Sequence, residues 1–162
     1  MKALVIYDSQ FGNTEKVANA IADGLRSGAE TTLLHAAAVT PQAMSGCELL
    51  VVGSPTQRFH ATKPVDDLLQ ELSLSDVRAA TFDTRFDRAE VDVTALRLAM
   101  KIAGDNAWAA PRIATQLKKA GAKIVVPPEG FIVEDTEGPL RPGELERATE
   151  WAVKILESVK LP

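Results

Sequence analysis

Three short apolar runs, which do not alternate with polar residues, limit what this chain can fold into more than any other feature. They cover residues 3–7, 49–53 and 124–126 and are rich in valine, leucine and isoleucine. Strands that are covered on both faces have this pattern, which is typical of a parallel sheet. Residues 31–34 and 79–82 are weaker strand candidates. The runs therefore predict a parallel sheet of about five strands.

Helical patterns separate these runs. Apolar residues recur at helical spacing in several stretches, which are 17–25, 65–72, 113–117, 145–159 and, more weakly, 94–102. Pro64 is placed to open the second of these helices and Gly121 to end the third. Residues 41–44 allow only a short helix, and residues 127–138 predict a broken last strand followed by an acidic turn. Alternation of strand and helix predicts an α/β sandwich with right-handed crossovers.

Length and composition narrow the class of protein further. The 162 residues fit a single domain over residues 1–162. A net charge of -4 argues against a nucleic-acid surface and against a polybasic membrane patch. No apolar run approaches the roughly 20 residues of a membrane span, and the first run is too short for a signal peptide. We therefore expect a cytoplasmic protein that has no membrane span and binds no nucleic acid.

Cysteine and histidine are scarce in this chain. The single cysteine, Cys47, excludes an intrachain disulfide, and with His35 and His60 it makes a structural zinc site improbable. We interpret His60 as a polar loop residue and Cys47 as a buried, inert thiol. The sequence therefore predicts neither a metal site nor a catalytic side chain.

The stretch YDSQFGNTEKVA, residues 7–18, links the first strand to the first helix. Ser9, Asn13 and Thr14 supply polar side chains, and Gly12 lets the backbone turn sharply. The amino terminus of the following helix directs free N–H groups and its positive dipole end into the same space, which favours a phosphate group. No lysine or arginine lies between Asp8 and Glu15, and the stretch matches neither GxxxxGK[ST] nor GxGxxG. The alternative is an ordinary helix capped by Thr14 or Asn13.

Three motifs in this order resemble the flavodoxin-like family. YDSQFGNTEKVA is similar to the family's phosphate loop, [TS]-x-T-G-x-T, and matches it at Ser9, Gly12 and Thr14. VVGSPTQRFHATKPVDDLL, residues 51–69, resembles the loop after the third strand, where G-[ST]-P-T opens the bed for the flavin ring. AATFDTRF, residues 79–86, stands at the place of the loop after the fourth strand. The resemblance covers nearly the whole chain.

The resemblance implies a three-layer sandwich with a five-stranded parallel sheet of order 2-1-3-4-5 and a non-covalently bound flavin mononucleotide (FMN). It implies that the phosphate is held by Ser9, Gln10, Phe11, Gly12, Asn13 and Thr14. One side of the isoalloxazine ring would be lined by Pro55, Thr56, Gln57, Arg58 and Phe59. The other side would be lined by Asp83, Thr84, Arg85 and Phe86.

The two ring loops differ from those of many flavodoxins, which use a tryptophan and a tyrosine there. Phe59 and Phe86 are the aromatic residues in these loops. Residues 57–63 contain Arg58, His60 and Lys63 but no acid, so we hypothesise a cation near the ring that stabilises the anionic reduced flavin. The alternative is a set of solvated loop charges.

The sequence leaves three functions open. The first is an electron carrier, which exchanges electrons with a redox partner protein through bound FMN. The second is an FMN-dependent NAD(P)H:quinone oxidoreductase, and the third is a binding module that kept the fold and lost the flavin. The sequence does not specify the oligomeric state. Residues 87–107 follow the loop after the fourth strand, and we expect them to cover the ring.

Overall fold

The sheet is parallel throughout the part of the chain that the computed structural model describes, which is residues 1–87, 89 and 94–160. Its strands are β1 (Lys2–Tyr7), β2 (Glu30–His35), β3 (Leu49–Pro55), β4 (Arg78–Arg85), β5 (Lys123–Ile124) and β6 (Glu129–Ile132). They lie in the order β2-β1-β3-β4, and both β5 and β6 pair with β4. The predicted strand order 2-1-3-4-5 is confirmed.

The last strand position is divided between β5 and β6. β5 pairs with Arg78 and Ala79 at the start of β4, whereas β6 pairs with the second half of β4, from Phe82 to Arg85. Pro127 and Pro128 lie between the two segments and have no N–H group to donate, so a continuous ladder is impossible there. The sheet therefore has six strands in the described residues where five were expected, and the expected break in the last strand is observed.

Helices cover both faces of the sheet. They are α1 (Asn13–Leu25), α2 (Pro41–Met44), α3 (Lys63–Glu71), α4 (Thr94–Ala103), α5 (Ala109–Lys119) and α6 (Glu144–Lys160). α1 and α6 pack on one face, and α3 and α5 pack on the other. None of the helices in the described ranges combines the length and hydropathy needed to span a bilayer. The three-layer α/β sandwich is confirmed.

Each face of the sheet has its own apolar core. On the face of α1 and α6, the rings of Phe82, Phe131 and Trp151 meet edge to face, with centroids 6.1 to 6.3 Å apart. On the opposite face, Leu50 of β3 and Ile113 of α5 are fully buried. Burial of a large apolar side chain contributes about 1.5–3 kcal/mol, so both layers hold the sheet in place. Because β1, β3, β4 and β6 run parallel, their carboxyl ends meet at one edge of the sheet.

Candidate functional site

The loop after β1 leaves the amino terminus of α1 open. Gly12 precedes the helix in the left-handed conformation (φ 83°), and no side chain among the described residues caps the first turn. The Gly12 N–H donates to Ser9 Oγ at 3.0 Å, which closes the loop on itself. The alternative that Thr14 or Asn13 caps the helix is wrong, because both lie inside it. Uncapped N–H groups at a helix start favour an anion.

Asn13 and Thr14 tie this helix start to two other segments. Thr14 is buried, and its Oγ1 lies 2.8 Å from Thr84 Oγ1 at the end of β4. Asn13 Nδ2 donates to the carbonyl oxygen of Glu137 at 3.0 Å. If Thr84 donates in the hydroxyl pair, the Thr14 hydroxyl hydrogen stays available for a ligand, because each hydroxyl has one donor and two lone pairs. The loop is therefore positioned by the sheet and by the chain after β6.

A hairpin after β6 forms a wall that the sequence analysis missed. Val133 and Leu140 form an antiparallel bridge, and Val133 and Thr136 line the cleft next to the loop after β1. The sequence of residues 127–138 predicts only a broken strand and an acidic turn, with no part in binding. The available signal was its position directly after a strand of a parallel sheet, where side chains meet at the ligand-binding edge.

The loop after β3 contains a tight two-residue turn. Gln57 and His60 exchange both backbone hydrogen bonds at 2.9 Å, and Arg58 and Phe59 between them have φ angles of 47° and 69°. Positive φ at both central residues is the geometry of a type I′ turn, which glycine and asparagine normally occupy. Holding two other residue types there costs about 1–3 kcal/mol each, and such strain is concentrated at functional sites.

The side chains of this turn point to different places. Arg58 and His60 are exposed, whereas Phe59 packs against the small cluster of Met100, Ala107 and Trp108. The Gln57 side chain donates to the Gln10 side chain and so connects this loop to the loop after β1. The two loops therefore lie side by side at the edge of the sheet.

The end of β4 carries a buried ion pair. Asp83 is fully buried and accepts from Arg85 Nε at 2.5 Å and Arg85 Nη2 at 2.8 Å. Its Oδ2 also accepts from the Ala110 N–H at 2.8 Å, while Thr56 Oγ1 accepts from the Ala109 N–H at 2.9 Å. Burial raises the pKa of Asp83, whereas Arg85 and the N–H donor lower it. The carboxylate thus both holds Arg85 and occupies the amino terminus of α5.

These segments line an open cleft of about 110 Å³ at the carboxyl edge of the sheet. Its described lining is Ser9, Gln10, Phe11, Asn13, Thr14, Pro55, Thr56, Gln57, Thr84, Arg85, Phe86, Val133 and Thr136. Within that lining Arg85 is the sole charged residue, and there is no carboxylate. The structure thus brings most of the predicted site residues together. Four of them lie outside this lining: Gly12, Arg58, Phe59 and Asp83.

Comparison with known proteins identifies the family. The family model described as Flavodoxin matches residues 5–151, which is most of the chain. This chain belongs to the flavodoxin family. A flavodoxin from Aquifex aeolicus (strain VF5) is 46% identical over 77 residues, which are 44% of this chain and 42% of that relative. The match thus spans less than half the length of the curated relative.

Three solved structures share the fold over nearly the whole of this chain. A flavodoxin from the domain Archaea superposes with a TM-score of 0.74 at 22% identity, covering 99% of this chain and all of the other. Flavodoxin 1 from Bacillus cereus gives a TM-score of 0.73 at 17% identity over the full length of both chains. Rubredoxin oxygen:oxidoreductase from Desulfovibrio gigas gives 0.71 at 20% identity, and 36% of its chain is covered.

The residues of the cleft fit the flavin cofactor that flavodoxins use. The uncapped start of α1, with Ser9 and Thr14, provides an anion-binding end. Pro55 and the half-exposed rings of Phe11 and Phe86 offer apolar surface for a flat ring. A flat aromatic ligand with one phosphate needs this combination of an anion site and a stacking surface.

A second cavity of about 350 Å³ adjoins this cleft. Thr56, Arg85 and Phe86 border both, and the further lining is Arg58, Phe59, Leu96, Met100, Ala107 and Trp108. Helix α4 supplies Leu96 and Met100, so part of the segment 87–107 stands next to the expected ring position. Arg88 and residues 90–93 of that segment lie outside the described residues.

Proposed function

We propose that this flavodoxin carries electrons on a non-covalently bound FMN. The observation that supports the proposal most is the charge pattern of one continuous cleft. It begins at an uncapped helix amino terminus, and its described lining contains hydroxyls, amides and one arginine but no carboxylate. A phosphate monoester is stabilised by such donors, and it would be repelled by acidic side chains.

Each wall of the cleft has a role in this proposal. Ser9, Thr14 and the N–H groups of the first turn of α1 bind the phosphate. Thr56 and Gln57 meet the polar edge of the ring, and Phe86 stacks on its face. The flavin supplies the one- and two-electron chemistry when bound, so no side chain needs to act as acid or base. The chain itself binds and orients the cofactor and limits its contact with water.

A comparison of FMN with riboflavin tests this proposal. The two ligands share the ring and the ribityl chain and differ in the phosphate. Titration of flavin-free protein, followed by flavin fluorescence, should show FMN binding at least about a hundredfold more tightly, because several charge-assisted hydrogen bonds of about 1.5–3 kcal/mol each are lost with riboflavin. Equal affinity for the two flavins, or no binding of FMN, would contradict the proposal.

The source of the electrons separates a carrier from a reductase. We propose a redox partner protein as donor and acceptor, so the FMN-loaded protein should keep its yellow colour when NADH or NADPH is added without oxygen. Rapid bleaching by either nucleotide would instead support the NAD(P)H:quinone oxidoreductase. Bleaching by dithionite serves as the control that the bound flavin is reducible.

A further inference from the structure

Arg85 is the charged residue in the described lining of the cleft. Its neighbour Thr84 points to the other face of the sheet, where it meets Thr14 at the start of α1. Because successive residues of a strand point to opposite faces, the Arg85 side chain lies on the side of α5. There it borders both the cleft and the adjoining cavity, next to Thr56 and Phe86.

The guanidinium of Arg85 is fixed from three sides. Asp83 holds Nε and Nη2 from within the sheet, and the Arg85 side chain is 16% exposed. The indole of Trp108 lies against one face, with Arg85 Cζ 4.6 Å from the ring centroid. On another side Gly130 of β6 approaches so closely that a Cβ there would collide with Nε. A charge that is held in place costs little reorganisation when a ligand changes charge.

Of the two paired charges, Arg85 lines the cleft and Asp83 does not. Asp83 is fully buried behind Arg85, so the guanidinium lies nearer the cleft than the carboxylate does. The exposed Arg58, which was the cation expected from the sequence, does not line this cleft. In a partly dry site, a fixed charge within a few ångströms interacts strongly with a ligand charge.

We propose that Arg85, held by Asp83 and Trp108, selectively stabilises the anionic reduced flavin in this cleft. The inference rests on the proposed function, because it concerns the same FMN site. Two electrons from the reductant and one proton from water convert the neutral oxidised ring into an anion. Arg85 therefore favours the reduced form, and Asp83 acts as a positioning residue that also offsets part of the charge.

The test compares the dissociation constants of oxidised and dithionite-reduced FMN. In Arg85→Met the ratio of the reduced to the oxidised constant should rise at least about tenfold, which corresponds to a two-electron potential about 30 mV more negative. Arg85→Lys keeps the positive charge but loses the two-pronged geometry of the guanidinium. Its ratio should lie between those of Arg85→Met and the wild type. Arg26→Met, which removes an exposed arginine paired with Asp23 at the far end of α1, is the matched control and should keep the wild-type ratio.

Two further variants separate charge from structure. Arg85→Met leaves Asp83 buried and unpaired, so the double variant Asp83→Asn/Arg85→Met removes both charges; the ratio should still rise above the wild-type value, but less than in Arg85→Met. Asp83→Asn alone should lower the ratio, since the offsetting charge is gone. A purely structural role of the pair would move both dissociation constants together and leave the ratio unchanged.

The outcomes of this experiment are distinct from those of the riboflavin comparison. A ratio in the double variant within twofold of the wild type, with FMN still bound, overturns the role of Arg85 and leaves the proposed function intact. A wild-type protein that binds neither form of FMN overturns the proposed function, and the role of Arg85 with it.

Discussion

At the scale of the residue, Thr14 joins the sheet to the expected phosphate site. Thr14→Val removes one hydroxyl of the pair with Thr84 and leaves the other buried without that partner. We expect FMN affinity to fall about tenfold, because one hydrogen bond to a charged group contributes about 1.5–3 kcal/mol. Riboflavin affinity should stay the same. Flavin fluorescence titration of both ligands measures the difference.

The control for this variant is Thr115→Val. The Thr115 hydroxyl is exposed and donates to the carbonyl of Pro111 within α5, so its loss should change neither affinity. Urea unfolding of Thr14→Val should also show a loss of about 1–3 kcal/mol, since the Thr84 hydroxyl loses its partner. A Thr14→Val protein that binds FMN like the wild type would show that Thr14 is structural and takes no part in binding phosphate.

At the scale of the element, β3 and β4 fit together because Gly53 has no side chain. Gly53 is paired in register with Phe82, whose ring lies where a Cβ on Gly53 would stand. Gly53→Ala should therefore destabilise the protein by about 1–3 kcal/mol, as overpacking does in well-packed cores. In a Phe82→Leu background the same change should cost less, with a coupling of about 1 kcal/mol or more in urea unfolding.

Gly46→Ala provides the control for this cycle. Gly46 has a φ of 70° and open space around its Cα, so alanine there is strained by the backbone alone. The loss of stability caused by Gly46→Ala should be the same whether residue 82 is phenylalanine or leucine. Additive costs for Gly53→Ala and Phe82→Leu would contradict the packing that we describe between β3 and β4.

The helices and strands also show which features can be predicted from sequence patterns. Val17, Ile21 and Leu25 are all fully buried on α1, because helical spacing places them on one face. The division of the last strand followed from Pro127 and Pro128. The cap of α1 could not be predicted from the sequence. Asn13 and Gly12 are both plausible caps, and the backbone conformation decides between them. The wall formed by Val133 and Thr136 depends on how a hairpin folds back, which local pattern does not encode.

At the scale of the whole molecule, long-range contacts decide which predicted residues form one cleft. Asp83 was expected to line the ring, but pairing with Arg85 and Ala110 places it in the interior. Phe59 packs under α4 instead of facing the cleft, because the 57–60 turn directs it there. Each placement also depends on a contact with a distant segment, with Ala110 for Asp83 and with Met100 for Phe59. The single domain over residues 1–162 and the cytoplasmic location stay predictions.

Ligand binding should act on the stability of the whole molecule, because the cleft is built from loops after β1, β3, β4 and β6. A ligand that binds only the folded state stabilises it by about 2.7 kcal/mol at a hundred times its dissociation constant, and by about 4.1 kcal/mol at a thousand times. Calorimetry of the flavin-free protein should show one cooperative transition, and the transition temperature should rise with each tenfold addition of FMN. The same concentration of riboflavin should raise it less. Two separate transitions, of which FMN moves one, would contradict the single domain predicted from the sequence.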